Sequence, residues 1–340
     1  MKIPFCKTSL GEEEKKAICD VIDSGWVVMG KKTQEFEEKF AEYVGAKYAV
    51  FVDSATSALF LSLKYLQTRF RLYPHMFVPS LTFVSTAEAV VNSGAIPHFH
   101  DISRETFCMD ESEFGGTIPV HLTGNRAKHK ADIYDSAHRI MRDDVKGSDA
   151  LWCYSFYATK NMTTIQGGMI ALNDFDKYEW LKKARDHGIT RGTTERYKEG
   201  KWEYDFDFVG WREKSDDVHA AIGLEQLKKL DGFNNERRRI ISRYNERLGQ
   251  NRTGLHLYPI LVNERQKFIE FMQEKGVQCS VHFLPLHTRK AYKDFPREAL
   301  PNTEYLGERL VSLPLFPQLT NEEVDYICQV VEDSKLLIHE

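Results

Sequence analysis

The sequence lacks the marks of a metal-bound, disulfide-stapled, membrane-spanning or nucleic-acid-binding chain. Its six cysteines (Cys6, Cys19, Cys108, Cys153, Cys279 and Cys328) are widely spread, with no C-x-x-C pair and no Cys/His cluster. Zinc-ligand spacing is therefore missing, no metal is expected, and free thiols replace a disulfide framework as the reading. No stretch approaches the roughly 18 uninterrupted apolar residues of a membrane span. The opening MKIPFCKTSLGEEEKK has no apolar h-region, so a cytoplasmic location is expected. The formal net charge is −4, with lysine and arginine scattered among acids, which leaves no basic footprint for nucleic acid. Repeats and low-complexity segments are absent too.

What is present is enough for two cores. At 340 residues the chain exceeds the roughly 250–300 at which a single core stops growing. With 42% hydrophobic and 28% charged residues it reads as globular. Short apolar runs at 47–52, 75–80, 96–101, 117–122, 131–136, 150–156 and 167–172 are predicted strands. Helical stretches fall between them, at 54–66 and 86–93. This alternation predicts an α/β fold with a mostly parallel central sheet flanked by helices. From Asp217 to about Leu248 the apolar residues Val218, Ala221, Ile222, Leu224, Leu227 and Leu230 recur at three- and four-residue spacing, predicting a long helix. The expected division is a large domain over 1–230, including the N-terminal segment. A linking helix and a smaller C-terminal α+β domain follow over 231–340.

Three short segments carry chemistry. Lys160 lies just beyond a predicted strand in SFYATKN (155–161), where α/β sheets bind ligands. A lysine in a drier pocket loses its proton readily and can form a Schiff base, although a lone lysine is usually a surface residue. Asp135, in ADIYDSAH, ends another apolar run. A pyridoxal-type cofactor needs such an anion beside its ring nitrogen, although an aspartate there can equally cap a turn. Ser54-Ala55-Thr56-Ser57 joins a strand to a helix, where backbone N–H groups favour phosphate but where the same residues make ordinary N-caps.

In order and spacing, the chain resembles the DegT/DnrJ/StrS family of sugar aminotransferases over nearly its whole length. The resemblance rests on Gly25-Trp26 and Gly30, on DSATSAL, PSLTFVSTAEAV (79–90), IPVHLTG (118–124), IYDSAH (133–138) and SFYATKNMTTIQGGM (155–169). RDHGI (185–189), DVHAAIGLEQLKKLD (217–231), VHFLPLH (281–287) and LVSLPLFPQLTNEEVDYI (310–327) complete it. It implies the aspartate-aminotransferase-like fold type I and pyridoxal 5'-phosphate, alternating with its pyridoxamine form, as cofactor. By the same resemblance Lys160 forms the internal aldimine and shuttles the proton, and Asp135 pairs with the pyridine nitrogen. Phe83 stacks on the ring, His138 lies near it, and Thr56, the backbone at Ala55 and Ser155 hold the phosphate. The implied reaction moves an amino group from glutamate to a keto sugar, a nucleotide-linked 3- or 4-keto-6-deoxyhexose. The implied assembly is a homodimer with its active site at the subunit interface. Substrate contacts are expected from 186–215, with His282, His287 and Arg289 as further candidates.

The sequence also departs from the family. The usual GEGG after the lysine is Ile165-Gln166-Gly167-Gly168. The GYNYRM loop, whose asparagine enters the neighbouring subunit's phosphate site, is GWREKS (210–215). That alignment puts Arg212 at the asparagine, where it could pair with phosphate or stay solvated. Ala55 replaces a glycine. Two alternatives follow from the family pattern. Its sugar dehydratase branch carries histidine in place of the lysine, and Lys160 disfavours it. A non-catalytic relative that binds cofactor or sugar is kept open by IQGG and GWREKS.

Overall fold

The computed structural model describes residues 1–70, 74–109, 115–190 and 202–339. The chain enters through α1 (Glu12–Asp23) and α2 (Lys31–Val44). Helix α1 places three glutamates in its first turn, where the helix dipole favours them, and Glu14 accepts the Gly11 N–H. Helix α2 stops at Gly45, whose left-handed φ of +75° closes its C-terminus. Next come β1 (Tyr48–Val52), α3 (Ala55–Phe70), β2 (His75–Pro79), α4 (Val84–Ser93) and β3 (Ile96–His100). Then follow β4 (Ile133–Asp135), β5 (Leu151–Ser155), β6 (Gly168–Leu172) and α5 (Phe175–Ala184).

The ladders join β1, β6, β5 and β4 in that order, and β2 with β3. Residues 116–121 connect the two sets: Val120 bridges Asp135, and Thr117 bridges Phe77, both in parallel. The strand predicted at 117–122 is thus reduced to single bridges. Strand β6 runs antiparallel to both β1 and β5, while the other pairings are parallel. The reason lies in the loop. A parallel return needs a crossover of a dozen or more residues, usually a helix. Residues 156–167 instead fold on themselves, with Phe156 N–H donating to Gly167 O at 2.9 Å and Lys160 N–H to Tyr157 O at 2.9 Å. Ser155 therefore pairs directly with Gly168, and the loop stays at one edge of the sheet.

Alternation along the strands builds two cores on the two faces of the sheet. Val50, Val52, Leu151, Cys153, Ile170 and Leu172 face α3, α4 and α5, whereas Ala49, Phe51, Trp152, Tyr154, Met169 and Ala171 face α2 and the next helix. That helix, α6 (Asp217–Leu248), runs as the periodicity predicts. The Asp217 carboxylate accepts the N–H groups of Gly30, Lys32 and Thr33, fastening α2 to the start of α6. Ala220, Leu224 and Leu230 of α6 belong to the sheet's core. Ile240, Tyr244 and Leu248 belong to a separate core built with β7 (Tyr258–Leu261), α7 (Arg265–Glu274), β8 (Leu310–Leu313) and α9 (Asn321–Ser334). Ile3 packs in this second core and bridges Val277. A short helix, α8 (Pro301–Arg309), leads into β8. Among the described residues no helix is long and apolar enough to cross a membrane.

Gly168 has no room for a side chain. A Cβ there would stand 2.3 Å from the Ser54 carbonyl carbon and oxygen and 2.6 Å from the Ala55 nitrogen, all backbone. Gly168→Ala is expected to cost about 3 kcal/mol in equilibrium unfolding. Gly232→Ala, in open space on α6, should stabilise by about 0.5–1 kcal/mol. Equal effects at the two sites would show that the close approach at Gly168 is not real.

Candidate active site

Because β1, β4 and β5 run the same way, their C-terminal ends share one edge of the sheet. Asp135 ends β4, Ser155 ends β5, and the 54–57 turn leaves β1. Asp135 is 3% exposed, and its carboxylate accepts the Thr86 hydroxyl at 2.8 Å and the Ala137 N–H at 3.1 Å. Burial pushes it above the usual carboxylate range, against these two donors and the charge of Lys160. The Lys160 ammonium is in turn pushed down to about 8 by desolvation, with Asp135 opposing. An amine with that pKa is about one-tenth unprotonated at pH 7, far more than an ordinary lysine, and the unprotonated form is the nucleophile.

The walls are aromatic and uncharged. Phe83, 56% exposed, follows β2 at the entry to α4, with its ring centroid 5.7 Å from that of Phe283. His138 is buried, its ring 4.3 Å from His256 and 5.8 Å from Phe283, and its Nδ1 has no partner. Burial, together with the Lys160 charge, holds His138 and His256 well below the usual histidine range and His282 down to about 4. Three neutral imidazoles thus face one amine. His256 lies in none of the motifs, and Thr86 lies in the 79–90 motif with no role assigned to it. Both are missed by sequence reading, because only folding brings them beside His138 and Asp135.

Ala55 and Thr56 open α3, and the Ser54 hydroxyl caps the helix by accepting the Ser57 N–H at 3.1 Å. Ser155 is buried, with its hydroxyl 3.4 Å from the Tyr157 N–H. Residues 212–214 run beside the end of β1: Asp53 N–H donates to Glu213 O, and Lys214 bridges Val52. Within the chain it is therefore Glu213 that reaches α3. The Ser57 hydroxyl lies 2.5 Å from its carboxylate and 2.6 Å from that of Asp53. One hydroxyl proton serves only one of them, and burial with the neighbouring Asp53 pushes Glu213 up. Arg212 instead lines a cavity of about 650 Å³ with Lys214 and with Asp186, Ile189 and Thr190 of the expected substrate segment, between α2 and α5, away from Lys160, Asp135 and His138.

The remaining expectations divide. His282 faces Lys160, but His287 bonds through Nδ1 to the Ser80 hydroxyl at 2.7 Å, and Arg289 is exposed. Of the expected substrate segment 186–215, residues 191–201 lie outside the described residues. Ile165, where the family has glycine, takes a left-handed φ of +72° that β-branched residues avoid; its N–H is held by the Thr163 hydroxyl. Among the described residues there is no Cys, His, Asp and Glu cluster fit for a metal.

The chain matches the profile of the DegT/DnrJ/EryC1/StrS aminotransferase family over residues 8–130 and 133–332. It is 33% identical to an uncharacterised protein, MJ1066, of Methanocaldococcus jannaschii, covering 97% of each chain. It is 31% identical to the spore coat polysaccharide biosynthesis protein SpsC of Bacillus subtilis, covering 97% of this chain and 96% of that protein. Among solved structures it is similar to the PMP form of Spr1654, a sugar aminotransferase assignment from Streptococcus pneumoniae. There the TM-score is 0.86 and the identity 26%, over 98% of this chain and 99% of that one.

The Asp135–Lys160 pair is testable without ligand. Amine-selective labelling of Lys160, read by peptide mass spectrometry across pH, is expected to show a midpoint near 8. Asp135→Asn should lower it, since the carboxylate stabilises the ammonium. A midpoint near the ordinary lysine value of about 10.4 would sink the electrostatic account.

Proposed function

Since the chain belongs to the DegT/DnrJ/EryC1/StrS aminotransferase family, we propose that it is a sugar aminotransferase that carries pyridoxal phosphate on Lys160 and moves an amino group from glutamate to a nucleotide-linked 3- or 4-keto-6-deoxyhexose. The observation that carries the reading is the desolvated Lys160 amine beside the buried Asp135 carboxylate. The residues present fit the cofactor. An anion suits its basic ring nitrogen, an amine its aldehyde, and the exposed face of Phe83 its flat ring. The unpartnered His138 Nδ1 would be available to a polar substituent of the ring, and the 54–57 turn with Ser155 would suit its phosphate.

Bound there, pyridoxal phosphate supplies an electron sink for the carbanion that transamination requires. The protein supplies position and protons. Asp135, fixed by Thr86 and Ala137, holds negative charge opposite the ring nitrogen. Lys160 Nζ takes up and returns the migrating proton, a role its lowered pKa suits near pH 7. His138, braced by His256, stays neutral and adds no competing cation. Ala55, Thr56 and Ser155 hold the phosphate, and Arg212 is assigned to the phosphate site of a second subunit, where its guanidinium offsets the Asp53 and Glu213 carboxylates.

A homodimer with the site at its interface, in the cytoplasm, completes the reading. It is supported by the exposed apolar run of Trp202 (82% exposed), Tyr204, Phe206 and Val209 (90% exposed) beside the 210–215 segment. Sedimentation should give twice the chain mass, and Trp202→Glu with Val209→Glu should shift it towards the monomer. A monomeric wild type would remove the shared site.

Wild-type protein loaded with cofactor is expected to lose its visible absorbance on adding glutamate and to regain it with one member of a panel of nucleotide-linked 3-keto and 4-keto sugars. Lys160→Ala should lose that absorbance and at least about 10²–10⁴-fold in turnover. A coloured protein unmoved by any amino donor would point to the non-catalytic alternative.

A further inference from the structure

A second, far smaller cavity lies against the loop that carries Lys160, between segment 6–9, residues 158–163, α6 and residues 315–316. Its free space of about 10 Å³ is on the scale of a single water or halide ion. Its lining contains no aspartate or glutamate, yet it includes the cationic residues Lys7 and Arg237, with Lys160 of the active-site loop in its wall.

Arg237 sets the chemistry. It is 5% exposed, and its Nε is buried with no hydrogen-bond partner. Nη1 makes only long bonds, to the Asn161 carbonyl at 3.2 Å and to Asn234 Oδ1 at 3.5 Å. Burial lowers its pKa to about 10, so it remains charged at neutral pH. The one acidic group acting on it among the described residues is the Cys6 thiol, which burial keeps protonated. A buried charge left uncompensated costs several kcal/mol in general. A water molecule would satisfy the open N–H but not the charge.

We infer that this cavity binds a small monovalent inorganic anion of the halide class, held by Arg237 against the Lys160–Asn161 loop. The anion neutralises the guanidinium and, because Nη1 also holds the Asn161 carbonyl, steadies the peptide that follows the lysine. The cavity shares Lys160 in its wall with the proposed cofactor site, but the inference rests on Arg237 and its test needs neither cofactor nor substrate.

The test uses the cofactor-free full chain. Crystals grown in sodium bromide should show an anomalous peak within hydrogen-bond distance of Arg237 Nε. Thermal unfolding at equal ionic strength should give a Tm about 2 °C higher in chloride or bromide than in gluconate, which is too bulky to enter. Arg237→Gln should lose that halide-specific increment. A peak without anomalous signal means a bound water and overturns the inference, as does an increment that survives in Arg237→Gln. Should that variant fail to fold, the bromide peak in the wild type decides alone.

Discussion

Three parts of the site meet at one residue without a side chain. At Gly168 the end of β5, the return of the lysine loop and the turn leaving β1 come within backbone contact distance. Ser155 pairs with Gly168 across the ladder, and the Ser54 carbonyl and Ala55 nitrogen press on its Cα from the other side. Chain direction, loop path and the position of α3 are all held by that contact. Any Cβ would push the 54–57 turn away from the edge on which Asp135 and Lys160 sit. The antiparallel setting of β6 is part of the same constraint, because a helical crossover would carry the loop away from the site.

Charge is rationed around this junction. One carboxylate, Asp135, faces one amine, and His138, His256 and His282 are all kept neutral by burial and by that amine. In a low-dielectric pocket each added cation would drive Lys160 further down, and each added anion would drive it up. The balance leaves the amine with a pKa of about 8, well below that of an ordinary lysine. Behind the loop the balance differs, with Arg237 buried and no carboxylate acting on it among the described residues.

The two halves of α6 show how the architecture joins its cores. Its first turns pack on the sheet and are pinned to α2 through Asp217, while its last turns build the second core with β7, β8 and α9. The Lys160 loop and the 254–257 segment lie near this join: Asn161 Nδ2 donates to the Leu255 carbonyl, and His256 packs at a tilt against His138. Histidine from one core thus completes a wall on the other.

The periodicity of apolar residues was sufficient to locate β1 to β6 and the full span of α6, since burial on both faces of a parallel sheet and on one stripe of a helix writes itself into local spacing. Motif order likewise marked Lys160, Asp135, Phe83, Ser155 and the 54–57 turn. Other features were decided only by folding. Strand 117–122 shrank to single bridges because pairing depends on neighbours distant in sequence. Glu213, not Arg212, reached α3 within the chain because backbone pairing with Val52 and Asp53 sets which side chain faces inward. The placement of His256 and Thr86 and the closeness at Gly168 could not be read locally, although Thr86 and Gly168 both lie within motifs. Sequence fixes what each residue can do chemically and which way a segment hides its apolar face; which groups share a pocket, and hence their pKa, depends on contacts between segments far apart along the chain.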